Sequence, residues 1–404
     1  MPGKVTRKRR QVEDLSPTQV GRLSDLHELD QRRLLITFMR AHGMTLKEVC
    51  NQLGSLSIPV RQNVAVKDLH QAGFDKWIVT RFAREMFKEE LLTEIAIMTH
   101  HRPWTNLEKS LSSLRGSVLK NLRVVYSGGK AKPRDQEWPA IIDRFADNSA
   151  WLIQGFLEDS KRVAVCWGST VANIVNALSA LRIPVDPGRR AIPVIPTAGQ
   201  PLGQHFRNAG IDSTTIARLL SIYFNGQSSN QVPSLDNVWP VIPRKFIDSP
   251  EVRELVRDID SHRKIFGDGP QDKSAMLSRA DTILASCGSF HNWNTFVAEW
   301  MSGDDGVDVT KVAIGDFGGA IVPKPGVPES EFEAVARLWT GITLEHFKLV
   351  AVRSPGVILC AVGRNKGRIA LELVRRGLVT TLVVDNQLAS EIEAQIKTGG
   401  HPLP

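Results

Sequence analysis

The sequence predicts an α/β protein: an N-terminal all-α helix-turn-helix unit followed by a mostly parallel, doubly wound, Rossmann-like domain. Three observations carry this. From about residue 161, short apolar runs alternate with helical patterns, as in a parallel sheet covered on both faces. Within residues 31–54, a helix, a glycine turn and a second short helix follow one another. The charge is also lopsided. Residues 1–150 hold 25 Lys and Arg against 17 Asp and Glu, the whole of the net +8, whereas residues 151–404 hold 26 of each. A basic first part beside a neutral second part suggests a polyanion partner for the first and a different task for the second.

Composition excludes several classes. With 42% apolar and 23% charged residues the chain is globular rather than disordered, and 404 residues exceed one ordinary core. No apolar run approaches the ~18 residues of a membrane span. The basic start, MPGKVTRKRRQVEDL, has no apolar segment after it and is not a secretory signal. Cys50, Cys166, Cys287 and Cys360 lie far apart with no CxxC pair. No metal site or disulfide framework is therefore expected, and a reducing cytoplasm is.

Residues 1–30 read as a basic flexible arm, whose Lys4, Arg7, Lys8, Arg9 and Arg10 can track phosphates or simply solubilise the terminus. Residues 31–104 read as the helix-turn-helix unit. Leu34, Leu35, Phe38 and Met39 recur on one helical face, and His42-Gly43 ends that helix. Thr45 and Glu48 have capping-box spacing. The short helix they open turns Leu46, Val49, Cys50 and Leu53 inward and closes at Gly54. Two candidate recognition helices follow. One is N-capped by Ser57, has Pro59 just inside, carries Arg61, Gln62, Asn63 and Lys67, and stops at Gly73. The other starts at Asp75 and carries Lys76, Trp77, Thr80, Arg81 and Arg84. Arg, Asn and Gln can read base edges, whereas Lys and Thr mostly position against phosphate. The first is better spaced from the preceding helix and the second has the better apolar face; spacing favours the first.

Residues 105–404 read as one α/β domain. Strands are expected at Leu122–Val125, Arg162–Cys166, Ile192–Ile195, Thr282–Ala285, Val312–Ile314, Val357–Val362 and Leu382–Val384, with helical periodicity over 138–158 and from Gly367 to Arg376. Ligands bind such sheets beyond the carboxyl ends of the strands. There the sequence places Gly168-Ser169-Thr170, Thr197 with Gly199, Gly288-Ser289, Gly315-Asp316, and Gly363 with Lys366. Gly168-Ser169-Thr170 at a helix start offers free N–H groups and the positive dipole end to a phosphate, Asp316 offers a carboxylate to hydroxyls, and Lys366 adds an ammonium charge. A phosphorylated polyol suits that set. The competing explanation is plain: glycine turns after strands, and hydroxyls at helix starts merely as caps. No GxGxxG or GxxxxGK[ST] occurs at these turns, so no nucleotide or other cofactor is expected.

The stretch GVILCAVGRNKGRIALELVRRGLVTTLVVDNQLASE (356–391) resembles the effector domain of SorC-type, sugar-responsive bacterial transcription regulators. So do VAVCWGSTVANIV (163–175), ADTILASCGSF (280–290) and VAIGDFGGAIVPKPG (312–326), while residues 32–54 resemble the first two helices of their DNA-binding unit. The resemblance implies operator DNA and a sugar or sugar-phosphate effector as partners, and a dimer or tetramer. By position it gives Gly168, Ser169 and Thr170 one phosphate, Asp316 the sugar hydroxyls, and Lys366 the other charged end. The sequence departs from the family at Val362, where a glycine is usual, at Asn386, and in the loop after Gly199. Ribose-phosphate isomerases and glucosamine-phosphate deaminases have similar folds, so a sugar-phosphate enzyme is the alternative. Asp316 could be its base, but no second acid lies nearby in sequence. A module that has lost its ligand is a third reading, suggested by Val362.

Overall fold

The computed structural model describes residues 28–41, 46–55, 58, 60–71, 104–127, 135–180, 191–199, 212–226, 232–235, 238, 240–242, 246, 249–290, 297, 301 and 308–398. They fall into two compact units, one within residues 1–105 and 126–128 and the other within 106–125 and 129–404.

The first unit contains the helices Glu28–Ala41, Leu46–Ser55 and Gln62–Gln71, each packed on the other two. Leu34, Leu35, Ile36, Met39, Val49, Leu53 and Ala65 close its core. Arg32 Nε donates to the buried Asp68 carboxylate at 2.7 Å, tying the first helix to the third. Two boundaries differ from expectation. The second helix continues past Gly54 to Ser55. The third starts at Gln62 rather than near Ser57, with the Arg61 carbonyl accepting its first bonds from Val64 and Ala65. Proline at 59 biases Ile58 towards extended backbone, and the Ile58 N–H bonds back to the Leu53 carbonyl at 2.8 Å instead. The alternative helix from Asp75 lies outside the described residues, as do residues 1–27.

The second unit is built on a six-stranded, wholly parallel sheet. Its strands are β1 (Asn121–Val125), β2 (Val163–Val165), β3 (Val194–Pro196), β4 (Thr282–Ala285), β8 (Gly356–Ala361) and β9 (Thr381–Asp385), in the order β1-β9-β8-β4-β2-β3. Val163, Val165, Leu284, Ile358, Cys360 and Val383 join one hydrophobic core with the helices Trp138–Glu158, Ser169–Ala180 and Ser213–Asn225. The alternate residues Ala164, Ile283, Val357, Leu359 and Leu382 are equally buried. Because successive side chains point to opposite faces, the second face is covered as well. The helix Leu344–Ala351 packs there on β4 and β8.

One expectation fails. The strand near 312–314 does not join the parallel sheet. Residues 309–312 are a helical turn, and Ala313–Phe317 is β6, the centre of a separate antiparallel sheet with β5 (Cys287–Ser289) and β7 (Ala320–Pro323). Gly288-Ser289 and Gly315-Asp316 are therefore strand residues rather than turns. This sheet has its own core, which includes Trp167, Phe290, Ala313, Ile321, Val335, Leu338 and Trp339. No described helix is long and apolar enough to cross a membrane.

Candidate functional site

Parallel register puts the carboxyl ends of β8, β4, β2 and β3 along one edge, which spans roughly 15 Å at the usual strand spacing. The chain leaves β2 towards β3 on one side and leaves β4 towards β8 on the other, so the topological switch point lies between β2 and β4. Gly168 and Ser286 meet there: a Cβ added at Gly168, whose φ is +115°, would lie 3.0 Å from Ser286 Oγ. Ser169 is exposed and Thr170 buried at the start of the helix Ser169–Ala180. The Ala172 N–H bonds the Gly168 carbonyl. As at any helix start, the preceding N–H groups have no intrahelical acceptor.

The small sheet meets this edge. Gly288 pairs with Asp316 and Ser289 with Gly315, and the turn Arg364–Lys366 after β8 lies against β5. Asp316 is buried, and its Oδ1 accepts from the Gly319 N–H at 3.2 Å. Burial pushes its carboxyl up to about 6, against the opposing pull of the Gly319 N–H and the Lys366 charge. Lys366 also pulls down the Cys287 thiol, which burial otherwise raises to about 12. Lys366 is half-buried and its charge is felt at both groups, and no ion pair joins it to Asp316 among the described residues.

Thr197 and Gly199, at the end of β3, also have structural duties. Thr197 Oγ1 donates to the Val165 carbonyl at 3.2 Å, and its own carbonyl accepts from the Ile342 N–H. Gly199 is where the backbone of Val238 comes closest: an added Cβ would lie 1.8 Å from that carbonyl oxygen. Sequence reasoning missed Cys166 and Cys287, buried thiols near Asp316. Asp385, before Asn-Gln-Leu, has the form of a helix cap, and its Oδ1 accepts from the Leu388 N–H at 3.0 Å. Among the described residues no cluster of three or more His, Cys, Asp or Glu could hold a metal ion.

In the first unit, Arg61, Gln62 and Asn63 are exposed at the start of the third helix, and Lys67 belongs to the same helix. Thr45, Ser57, Lys76, Thr80, Arg81 and Arg84 lie outside the described residues.

No family model matches the chain, and no curated protein matches its sequence. Solved structures do. A full-length sorbitol operon regulator, SorC, from Klebsiella pneumoniae superposes with a TM-score of 0.51 at 17% identity, covering 90% of this chain and 99% of that one. A probable sor operon regulator from Shigella flexneri matches at 0.50 and 19% identity, over 70% of this chain and 96% of its own. A DeoR family transcriptional regulator from Listeria monocytogenes matches at 0.50 and 15%, over 72% of this chain and all of its own. At these identities the likeness establishes the fold: this chain is built as those regulators are.

Proposed function

We propose that the protein is a ligand-responsive, DNA-binding transcription regulator, acting in the cytoplasm as an oligomer. Its α/β unit takes a phosphorylated polyol. The observation that carries this reading is the meeting, at one sheet edge, of the Gly168–Thr170 helix start, buried Asp316 and Lys366. The helix start suits a phosphate, Asp316 accepts from hydroxyls, and Lys366 faces a second anionic group. The shared fold of the sor operon and DeoR regulators supports the same assignment, and so does the basic excess confined to residues 1–150. The helix Gln62–Gln71, with exposed Arg61, Gln62 and Asn63 at its start, is the DNA-reading element in this account. The unit boundary near residue 105 is the division between the two tasks.

The protein is read as non-catalytic. Besides burial, the groups acting on Asp316 are the Gly319 N–H and Lys366, and Asp316 in turn raises the buried thiols Cys166 and Cys287. Among the described residues no second carboxylate stands with them to act as the partner acid. Ligand alters operator affinity by favouring one oligomer arrangement over another.

The test is a thermal-shift and calorimetric screen of three- to six-carbon sugar phosphates on the full chain, followed by operator binding with and without each hit. A sugar phosphate that raises the melting temperature and changes DNA affinity supports the reading. Isomerase or deaminase turnover, or a complete absence of binding, contradicts it.

A further inference from the structure

The turn that carries Lys366 is tied by hydrogen bonds to the end of β9 and to the final helix. Gly363 leaves β8 at a φ of +98°, and its N–H donates to Asp385 Oδ1 at 3.1 Å. The same oxygen accepts from the Leu388 N–H at 3.0 Å, capping the final helix Asn386–Lys397. Asp385 is almost wholly buried. Arg364 then donates through Nε and Nη2 to Glu391 Oε2, at 3.1 and 2.9 Å. Gln395 holds the other Glu391 oxygen at 3.1 Å. Gly367 approaches the same helix so closely that an added Cβ would lie 2.6 Å from Glu391 Cγ. Residues 363, 364 and 367 are thus each tied to the end of β9 or to the final helix.

A lysine is a compact charge on a flexible four-carbon stem. It makes a defined contact only if the backbone beneath it is fixed, and fixing is the task of a supporting shell of hydrogen bonds. We propose that Asp385 and the Arg364–Glu391 pair are positioning residues for Lys366, holding its turn so that the ammonium group stands opposite Asp316. This inference rests on the ligand site proposed above. Asp385 acts through two bonds from backbone N–H groups, and Arg364–Glu391 acts as a clasp at the outer end of the turn. Neither needs to touch the ligand.

The test is calorimetric titration of the full chain with inorganic phosphate and with the sugar phosphates of the same screen. Arg364→Ala removes a partly exposed side chain and should leave the melting temperature close to that of the wild type. It should weaken binding by about 10-fold. Asp385→Ala should do the same or more. Asp385→Asn keeps an acceptor oxygen for both N–H groups, and it should bind within about twofold of the wild type. That rescue separates positioning from a requirement for charge at the site, and Arg364→Ala with Asp385→Asn suffices if Asp385→Ala does not fold. If the wild type binds and Arg364→Ala binds equally well, the clasp is overturned while the ligand site stands. If Asp385→Asn fails like Asp385→Ala although folded, the positioning role of Asp385 is overturned. A wild type that binds neither probe overturns both the site and its support.

Discussion

In the six-stranded sheet of the larger unit every strand is parallel, both faces are buried, and glycines lie at the strand ends. In the three-stranded sheet beside it the strands are antiparallel and short, and glycines lie within the strands. The first supplies the proposed site with backbone N–H groups, a helix start and a lysine. The second supplies Asp316. Crossovers between parallel strands place turns at one edge regardless of their sequence, so the large sheet tolerates variation there. An antiparallel ladder pairs particular residues, so a one-residue slip would turn Asp316 to the other face. Delivering one buried carboxylate to one place calls for the second kind of sheet.

The small sheet is most vulnerable at Gly319. Its φ is +98°, and an added Cβ would overlap the Trp339 ring at 2.1 Å. Gly319→Ala should cost about 3 kcal/mol or more, from backbone strain together with overpacking, as measured by denaturant unfolding. A cost below about 1 kcal/mol would mean that the small sheet is not tightly specified.

Acid should act on the covering layer next. His346 is buried on the helix Leu344–Ala351, with its ring held down to about 4 chiefly by burial. A depressed histidine disfavours its proton in the folded state, so stability should fall as pH drops below about 6.5 and level off below about 4. The span corresponds to roughly 3 kcal/mol. His346 fills the N3 position of a capping box with Thr343, where Gln is a standard occupant. His346→Gln should therefore flatten this acid limb while preserving the helix; an unchanged limb would remove His346 from the account.

Asp316 has the opposite sign. Its raised carboxyl is protonated in the folded protein at a pH where the unfolded chain is already ionised. Stability is therefore lost as pH rises from about 4 through about 6. Asp316→Asn should stabilise the protein by about 2 kcal/mol at pH 7 and by nearly nothing at pH 4, read as melting temperature against pH. A buried charge retained against stability is what a binding residue looks like. Destabilisation at pH 7 would mark Asp316 as a structural group instead. The smallest effect concerns the thiols. Cys166 and Cys287, raised to about 12 by burial, should resist alkylation at pH 8 until the chain unfolds.

What the sequence made legible follows the same division. Long apolar runs and a clear helical period fixed β4 and the helix Trp138–Glu158 at their observed limits, because burial on a sheet or a helix face leaves a period in the chain. A three-residue strand with glycine at its centre leaves none. Cys287-Gly288-Ser289 has the composition of a turn, and Gly315 was read as one. In fact Gly315 is small because Gly288 of the next strand lies against it: an added Cβ would sit 2.1 Å from that carbonyl oxygen. Apolar strands also do not declare whether their partner runs parallel or antiparallel, so β6 was assigned to the wrong sheet. Local pattern singles out Asp316 and Lys366 one at a time, but where they sit relative to each other depends on tertiary structure that no local spacing encodes.

Lys366 and Asp316 are proposed as the two ends of one ligand site that governs DNA binding without forming part of it. The direct measurement is operator affinity titrated with a sugar phosphate that binds the wild type, repeated on Lys366→Ala and Thr170→Ala. The account predicts ligand-free operator affinity within about twofold of the wild type and no response to ligand in either variant. Folded variants that lose DNA binding outright, or that respond to ligand as the wild type does, would contradict it.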